Sequence, residues 1–380
     1  MSATPSDTVP TRSSGSTALV VLAVLAVLYT LYFARSFLIP LTFALLLDFL
    51  LSPVVRLLAR LRIPTAFGAS IVVLALVGLL AVGVYQVSGP VRSWTADAPA
   101  TLANAQRKIW QLVEPLERLT RSAQRVEEHM TEDARAGEKP TEVVVIGPTM
   151  ASRLFAWTPA LLIALLEVTV LLYFMLAAGD FFLEKVIKIL PQAKDKKKAV
   201  LIARETESSI STYLIANLGI NAVEGVMVGS ALWVLGLPNA LVWGMLTVVL
   251  EFIPYLGAAV MLALLCVTAL ATFHDLGHIL LVPGAFVLAN VIQANIVTAL
   301  VLGRRLQLNP VALLAGLAFW FWIWGIPGAF VGVPLLAIFK ICCDHIETLA
   351  PVGEFLAGPN GSLSGRGLPV LRDRVYRPWA

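Results

Sequence analysis

Charge is what this sequence has least of. Asp, Glu, Lys and Arg make up 14% of the 380 residues, while hydrophobic residues make up 58%. A soluble domain carries nearer a quarter charged residues, so the composition excludes a water-soluble globular protein and predicts an integral membrane one. Cysteine is scarce too. Cys266, Cys342 and Cys343 lie in apolar surroundings and offer neither a metal-ligand spacing nor a disulfide framework. The adjacent pair at 342–343 reads as apolar packing, with palmitoylation as the alternative. No P-loop is present, so nothing points to ATP-driven pumping. No nucleophile–base constellation is present either, and the chain reads as a non-enzyme that needs no cofactor. The net charge of +4 sits in a few loops, so it informs orientation and gives no reason to expect a nucleic-acid partner. A polar, Ser/Thr-rich segment over 1–17 precedes an apolar run with no small-residue cleavage site behind it, which predicts a retained helix instead of a signal peptide.

Long apolar runs are what the chain has in abundance. Hydropathy predicts spans at about 18–34, 37–54, 65–88, 154–178, 210–235 and 279–302, the first two separated by a tight turn at Arg35–Ser36. Two further apolar stretches, 239–272 and 311–341, are broken midway by Ile-Pro and glycine, and Pro254 and Pro327 lie 73 residues apart. An arm of about 14 residues is roughly 21 Å long, short of the roughly 30 Å hydrocarbon core. Such arms suit re-entrant hairpins, and paired interrupted segments point to a transporter's binding site. The expected fold is therefore all-α and integral to the membrane, with about six transmembrane helices plus two re-entrant helical hairpins.

Residues 89–153 differ. Acidic and basic side chains interleave there with Leu102, Ile109, Leu112, Val113, Leu116 and Leu119 at helical spacing, which predicts a small helical extramembrane domain ending in a short extended piece at Val143–Ile146. Lys and Arg in short loops stay cytoplasmic. Arg56, Arg60 and Arg62 after the second span, and the lysines between 185 and 198 after the fourth, place those loops and both termini inside and the 89–153 domain outside. The segment 181–190 reads as an amphipathic helix on the inner leaflet, followed by a solvated lysine loop drawn to anionic lipid. Arg304 and Arg305 become cytoplasmic if 239–272 dips in and returns, with 311–341 then entering from the opposite side. From Pro351 on, the Gly/Pro/Ser-rich tail is not expected to fold.

The candidate chemistry gathers at the breaks. Pro254 removes a backbone donor and is expected to free carbonyls near Val249–Leu250, while Gly257, Gly325 and Gly328, beside Pro327, admit a ligand or another backbone closely. A packed kink is the competing reading for any single break. Glu251 is the sharpest residue, because an ionised carboxylate at mid-bilayer costs about 2.5–3.5 kcal/mol on insertion scales and needs a partner, water or a proton. It reads as a cation, proton or polar-substrate group, or as a structural carboxylate bonded to a neighbouring helix. Asn217, Asn221 and Glu224 form one polar stripe, and Asn290 with Gln293 a second patch; interhelical glue and substrate contact both fit them. Glu167 reads as a helix-contact or oligomer-interface residue. The aromatic run 319–324 reads as packing or interfacial anchoring, with stacking on a sugar-like ligand as the alternative. His274 and His278 share a face, but without a third ligand they predict a water-boundary loop and no metal site.

Several segments carry a resemblance: LGLPNALVWGMLTVVLEFIPYLG (235–257), IVTALVLGRRLQLNP (296–310), GIPGAFVGVPLLAIFK (325–340) and FLIPLTFALLLDFLLSPVVRLLARLRIP (37–64). Together they resemble the autoinducer-2 exporter (AI-2E) family of bacterial membrane proteins over about residues 18–345. The resemblance implies an inner-membrane homo-oligomer, a pentamer, with two hairpins in the substrate region and an elevator-like motion. It also implies export of a quorum signal or, in other branches, sodium–proton antiport. Glu251 stands where that family commonly has a neutral residue such as Asn, and Ala299 where proline is common. The first functional reading is secondary transport of a small polar organic molecule. The alternatives are a sodium–proton antiporter using Glu251 and Glu224, and a non-transporting membrane scaffold whose 89–153 domain binds partners.

Overall fold

The computed structural model describes residues 14–86, 88–89, 150–179, 181–189, 193–301, 309–346 and 349–358. The expected domain at 89–153 lies almost wholly outside these residues, as do its extended piece and the ends of both tails. The described chain is all-α. Its helices are α1 (Ser14–Phe33), α2 (Arg35–Arg60), α3 (Thr65–Gln86), α4 (Met150–Ala178), α5 (Phe181–Ile189), α6 (Ala193–Val234), α7 (Ala240–Leu250), α8 (Leu256–Thr272), α9 (Leu276–Ile292), α10 (Thr298–Val301), α11 (Pro310–Trp324), α12 (Ile326–His345) and α13 (Ala350–Leu356). Six are long and apolar enough to cross a bilayer: α2, α3, α4, α6, α12, and α9 with the π-helical turn Gln293–Val297 that follows it. This is a multi-spanning membrane protein.

Several expectations change. The apolar part of α1, Ala18–Phe33, is shorter than these six, whereas α12, expected to be a short arm, has 20 residues and is among them. The turn at Arg35–Ser36 is absent: Ala34 alone interrupts the helices, and its N–H still reaches the Thr30 carbonyl at 2.8 Å. The lysine loop is helical, because α6 begins at Ala193 and runs for 42 residues. A short helix, α13, stands where an unfolded tail was expected to begin.

The chain divides into two compact units, 1–47 with 308–380, and 48–307. In the second unit, α6, α7, α8 and α9 bury a common core that includes Val228, Leu232, Trp243, Met261, Leu265 and Phe286. Leu237 N–H reaches back to the Leu232 carbonyl at 3.0 Å, and Gly236 at φ 72° closes α6 as a left-handed cap. Glycines then set how closely α7 lies on α6. A Cβ on Gly244 would stand 2.6 Å from the Gly225 carbonyl oxygen and 3.2 Å from Gly229 Cα. Backbones in lipid approach this closely only over small residues, the G-x-x-x-G device of packed membrane helices.

In the first unit, α11 and α12 pack on each other and α13 packs on α12. Pro310 opens α11 behind a cap in which Val311 N–H donates to Asn309 Oδ1 at 3.0 Å. Trp324 Nε1 donates to the Leu31 carbonyl of α1 at 2.9 Å, and Trp320 lies 4.9 Å from Trp324 ring to ring. Trp324 is therefore a packing residue, whereas Trp322 is exposed. The Leu356 carbonyl accepts from Asn309 N–H at 3.0 Å, and Leu356 packs with Ala312 and Leu336, so α13 joins the start of α11 to α12.

Candidate functional site

The site in the second unit is built where α7 gives way to α8. Glu251 ends α7, donating its N–H to the Thr247 carbonyl at 3.0 Å. Phe252 N–H then reaches the Val249 carbonyl at 3.3 Å, and Ile253 N–H the Leu250 carbonyl at 3.0 Å. The carbonyls expected to be free at Val249–Leu250 are thus taken by a tightened last turn, the usual resolution at a helix end. Tyr255 adopts φ 63°, and Gly257 N–H closes the turn on the Ile253 carbonyl at 2.9 Å. Gly257 is obligatory: a Cβ there would lie 2.0 Å from the Leu250 carbonyl oxygen. The α11–α12 break in the other unit repeats the device. Gly325 takes φ 66°, and a Cβ on Gly328 would lie 2.0 Å from the Trp320 carbonyl oxygen. Pro327 is a starter of α12, not a kink within a helix, since it falls in the first turn.

Four predicted residues come together around the first break. Glu224 of α6 is fully buried, and Asn290 Nδ2 of α9 donates to its Oε1 at 3.0 Å. Glu251 is half-buried at the end of α7, which packs along α6. Glu224 Oε2 and Glu251 Oε1 are buried with no hydrogen-bond partner, and among the described residues no Lys or Arg pairs with either. Asn221, also buried, sits one turn before Glu224. With its amide nitrogen toward Val248, the bond it makes there is 3.5 Å long. Turned over, the nitrogen donates to the Asn217 carbonyl at 3.2 Å and the oxygen accepts from Phe252 N–H at 3.3 Å. The second orientation satisfies both ends and is the one the network selects.

A buried carboxylate oxygen with no hydrogen-bond partner is costly inside a membrane while the group is charged, so each of these side chains calls for a partner, water or a proton.

The remaining predicted residues have other roles. Asn217 contributes its backbone carbonyl. Gln293 is half-buried and opens the π-helical turn, its carbonyl accepting from Thr298 Oγ1 at 3.0 Å. Pro254 and Gly257 shape the break, and Gly325, Pro327 and Gly328 belong to the other unit. Among the described residues no group of three His, Cys, Asp or Glu side chains is placed to hold a metal. Asp275 instead caps α9, accepting from His278 N–H at 3.2 Å and lying 3.1 Å from its Nδ1. The His278 ring hydrogen bond holds the Asp275 carboxyl below its ordinary range.

Sequence reasoning missed the glycine crossing that carries Glu251 to Glu224. The signal was present as Gly225-Val-Met-Val-Gly229 facing Gly244. An apolar groove of about 700 Å³ runs along this crossing, lined by Gly225, Gly229, Trp233, Gly244 and Met245 among others, and it contains neither carboxylate. Also missed was an ion cluster on α6, where Glu207 bonds Arg56 of α2 at 2.7 Å and Arg204 at 3.2 Å. Its signal was an acidic residue, Glu207, one turn from Arg204 on the same helix.

A family model described as "AI-2E family transporter" matches residues 21–348. The chain belongs to the AI-2E transporter family. Among similar AI-2E relatives, the AI-2 transport protein TqsA of Escherichia coli K12 is 27% identical over 318 residues, covering 82% of this chain and 87% of that one. A provisionally named transport protein of Borreliella burgdorferi is 31% identical over 199 residues, which is 51% of this chain and 54% of its own length, so the match spans about half of that relative. The provisionally named transport protein YueF of Bacillus subtilis is 24% identical over 318 residues, covering 81% and 84%. The AI-2E family is a transporter-type family.

Proposed function

We propose that this AI-2E protein is a secondary transporter of a small polar organic molecule, in which Glu224 and Glu251 form the centre that couples transport to a proton or cation. The observation that carries the reading is the pair of buried, unpartnered carboxylate oxygens facing a broken helix. Buried side-chain oxygens usually have a hydrogen-bond partner, and an ionisable group inside the membrane with an open oxygen reads as a functional one. The kind of solute follows the name of the E. coli relative, an AI-2 transport protein.

The two broken segments act as re-entrant hairpins in the inner membrane, and the first moves with α6 and α9 in an elevator-like exchange of sides. Steric identity of the two breaks supports a common role. Both termini are cytoplasmic, in keeping with the Lys/Arg bias, and the protein works as a homo-oligomer, a pentamer by resemblance to its family.

The test is flux of autoinducer-2 in reconstituted vesicles. Glu251→Gln and Glu224→Gln should each cut pH-driven flux at least about tenfold while leaving insertion and assembly intact. Unchanged flux in both would overturn the coupling role. A pH signal on adding Na⁺ alone, with no autoinducer-2 movement, would assign the pair to sodium–proton exchange instead. Inert vesicles in every assay would favour a scaffold.

A further inference from the structure

We infer that Asn221 is a positioning residue that clasps the α7–α8 break to α6 and so sets where Glu251 stands against Glu224. The inference rests on the coupling reading above and assigns Asn221 a task other than touching solute. The Phe252 N–H it accepts from is the first donor beyond Glu251, and the backbone bond that N–H makes to the Val249 carbonyl is long, 3.3 Å. A three-residue turn of this kind holds its last residue loosely, because i→i+3 bonds have poorer geometry than α-helical ones. Asn221 supplies a further acceptor from a different helix. Its own nitrogen is anchored 3.2 Å from the Asn217 carbonyl, one turn back on α6, so the amide cannot swing with the break.

Burial makes the contact matter. Asn221 is 1% exposed and Glu224, one turn further on, is 0% exposed. Both are therefore fixed on a rod whose backbone meets α7 through Gly225 and Gly244. The break bends immediately afterwards, at Pro254 and at Tyr255 with its positive φ. Glu251 is thus held from one side by the α7 helix and from the other by this amide. The titratable groups facing Glu251 are few. Glu224 comes from α6, α7 and α8 carry none with charge, and Tyr255 lies in the break itself. On α9 the sole titratable group is His278, near its start and bonded to Asp275.

The experiment uses full-length protein in lipid vesicles and two readouts. Amide hydrogen exchange reports the clasp, and the pH profile of autoinducer-2 flux reports what it positions. In Asn221→Leu, exchange at Phe252 should accelerate about tenfold or more, the loss of one hydrogen bond of about 1.4 kcal/mol. The flux profile should shift along the pH axis as well as fall in height. Asn221→Gln, which keeps an amide on a longer arm, should recover part of both. Unchanged Phe252 exchange in Asn221→Leu would overturn the clasp. Faster exchange with a profile lowered uniformly and not displaced would overturn the positioning role. If Asn221→Leu fails to insert, the same two outcomes are read on Asn221→Ala, which also removes the amide. Glu251→Gln is measured alongside: an unaltered profile there sinks the coupling reading, while Phe252 exchange still judges the clasp separately.

Discussion

Two glycines on the same helix crossing should respond in opposite ways to a single methyl group. At Gly244 a Cβ would lie 2.6 Å from the Gly225 carbonyl oxygen, backbone against backbone, so no flexible side chain can move aside. Restoring ordinary contact requires α6 and α7 to part by roughly 0.8 Å. Overpacking of this kind costs about 1–3 kcal/mol, partly offset by the gain of up to about 1 kcal/mol from alanine over glycine in a helix. The same movement stretches the 3.3 Å Asn221–Phe252 contact out of hydrogen-bonding range. At Gly229, four residues from Gly225, the nearest atoms to a Cβ are 3.5 Å away, an ordinary contact. Gly229→Ala should therefore be neutral or stabilising by up to about 1 kcal/mol. The assay is unfolding of the purified protein in bilayer discs, followed by tryptophan fluorescence, with vesicle flux measured on the same preparations. Gly244→Ala should lower both stability and flux, and Gly229→Ala neither. Equal responses of the two variants, or the reverse order, would refute the close-crossing argument.

Two further outcomes belong to the other unit. Trp324→Phe keeps an aromatic ring but removes the 2.9 Å donation to the Leu31 carbonyl, which should cost about 0.5–1.5 kcal/mol in the same unfolding assay and increase exchange at the C-terminal end of α1. Gly353→Ala would put a Cβ 2.5 Å from Asp344 Oδ1. That oxygen ends a flexible side chain, so the Asp344 carboxyl should turn aside and protease cleavage between 349 and 358 should stay as in the unaltered protein; new cleavage there would refute this.

Much of this was legible in the amino acids because the bilayer imposes simple rules. Five of the six spanning helices were predicted from hydropathy, and both breaks from Pro and Gly. The pairing of Glu224 with Asn290 was hidden, since 66 residues separate them and no local pattern announces which polar stripes meet. The breaks also misled in detail: Pro254 suggested open carbonyls at Val249–Leu250, but the chain tightened its last turn and used Phe252 and Ile253 to fill them. The lysines at 196–198 looked like a loop because they are polar, yet they are also good helix formers, and α6 simply continues through them. Composition misjudged α13, where Pro351 starts the helix and Gly353 lets it approach Asp344.

The length of α6 has a mechanical consequence. At about 1.5 Å per residue its 42 residues extend about 63 Å, roughly twice the thickness of a hydrocarbon core. Glu207, tied to Arg56, and Glu224, tied to Asn290, ride the same rigid shaft about 26 Å apart. A tilt of the shaft at its arginine-bound end would carry the acidic pair with it.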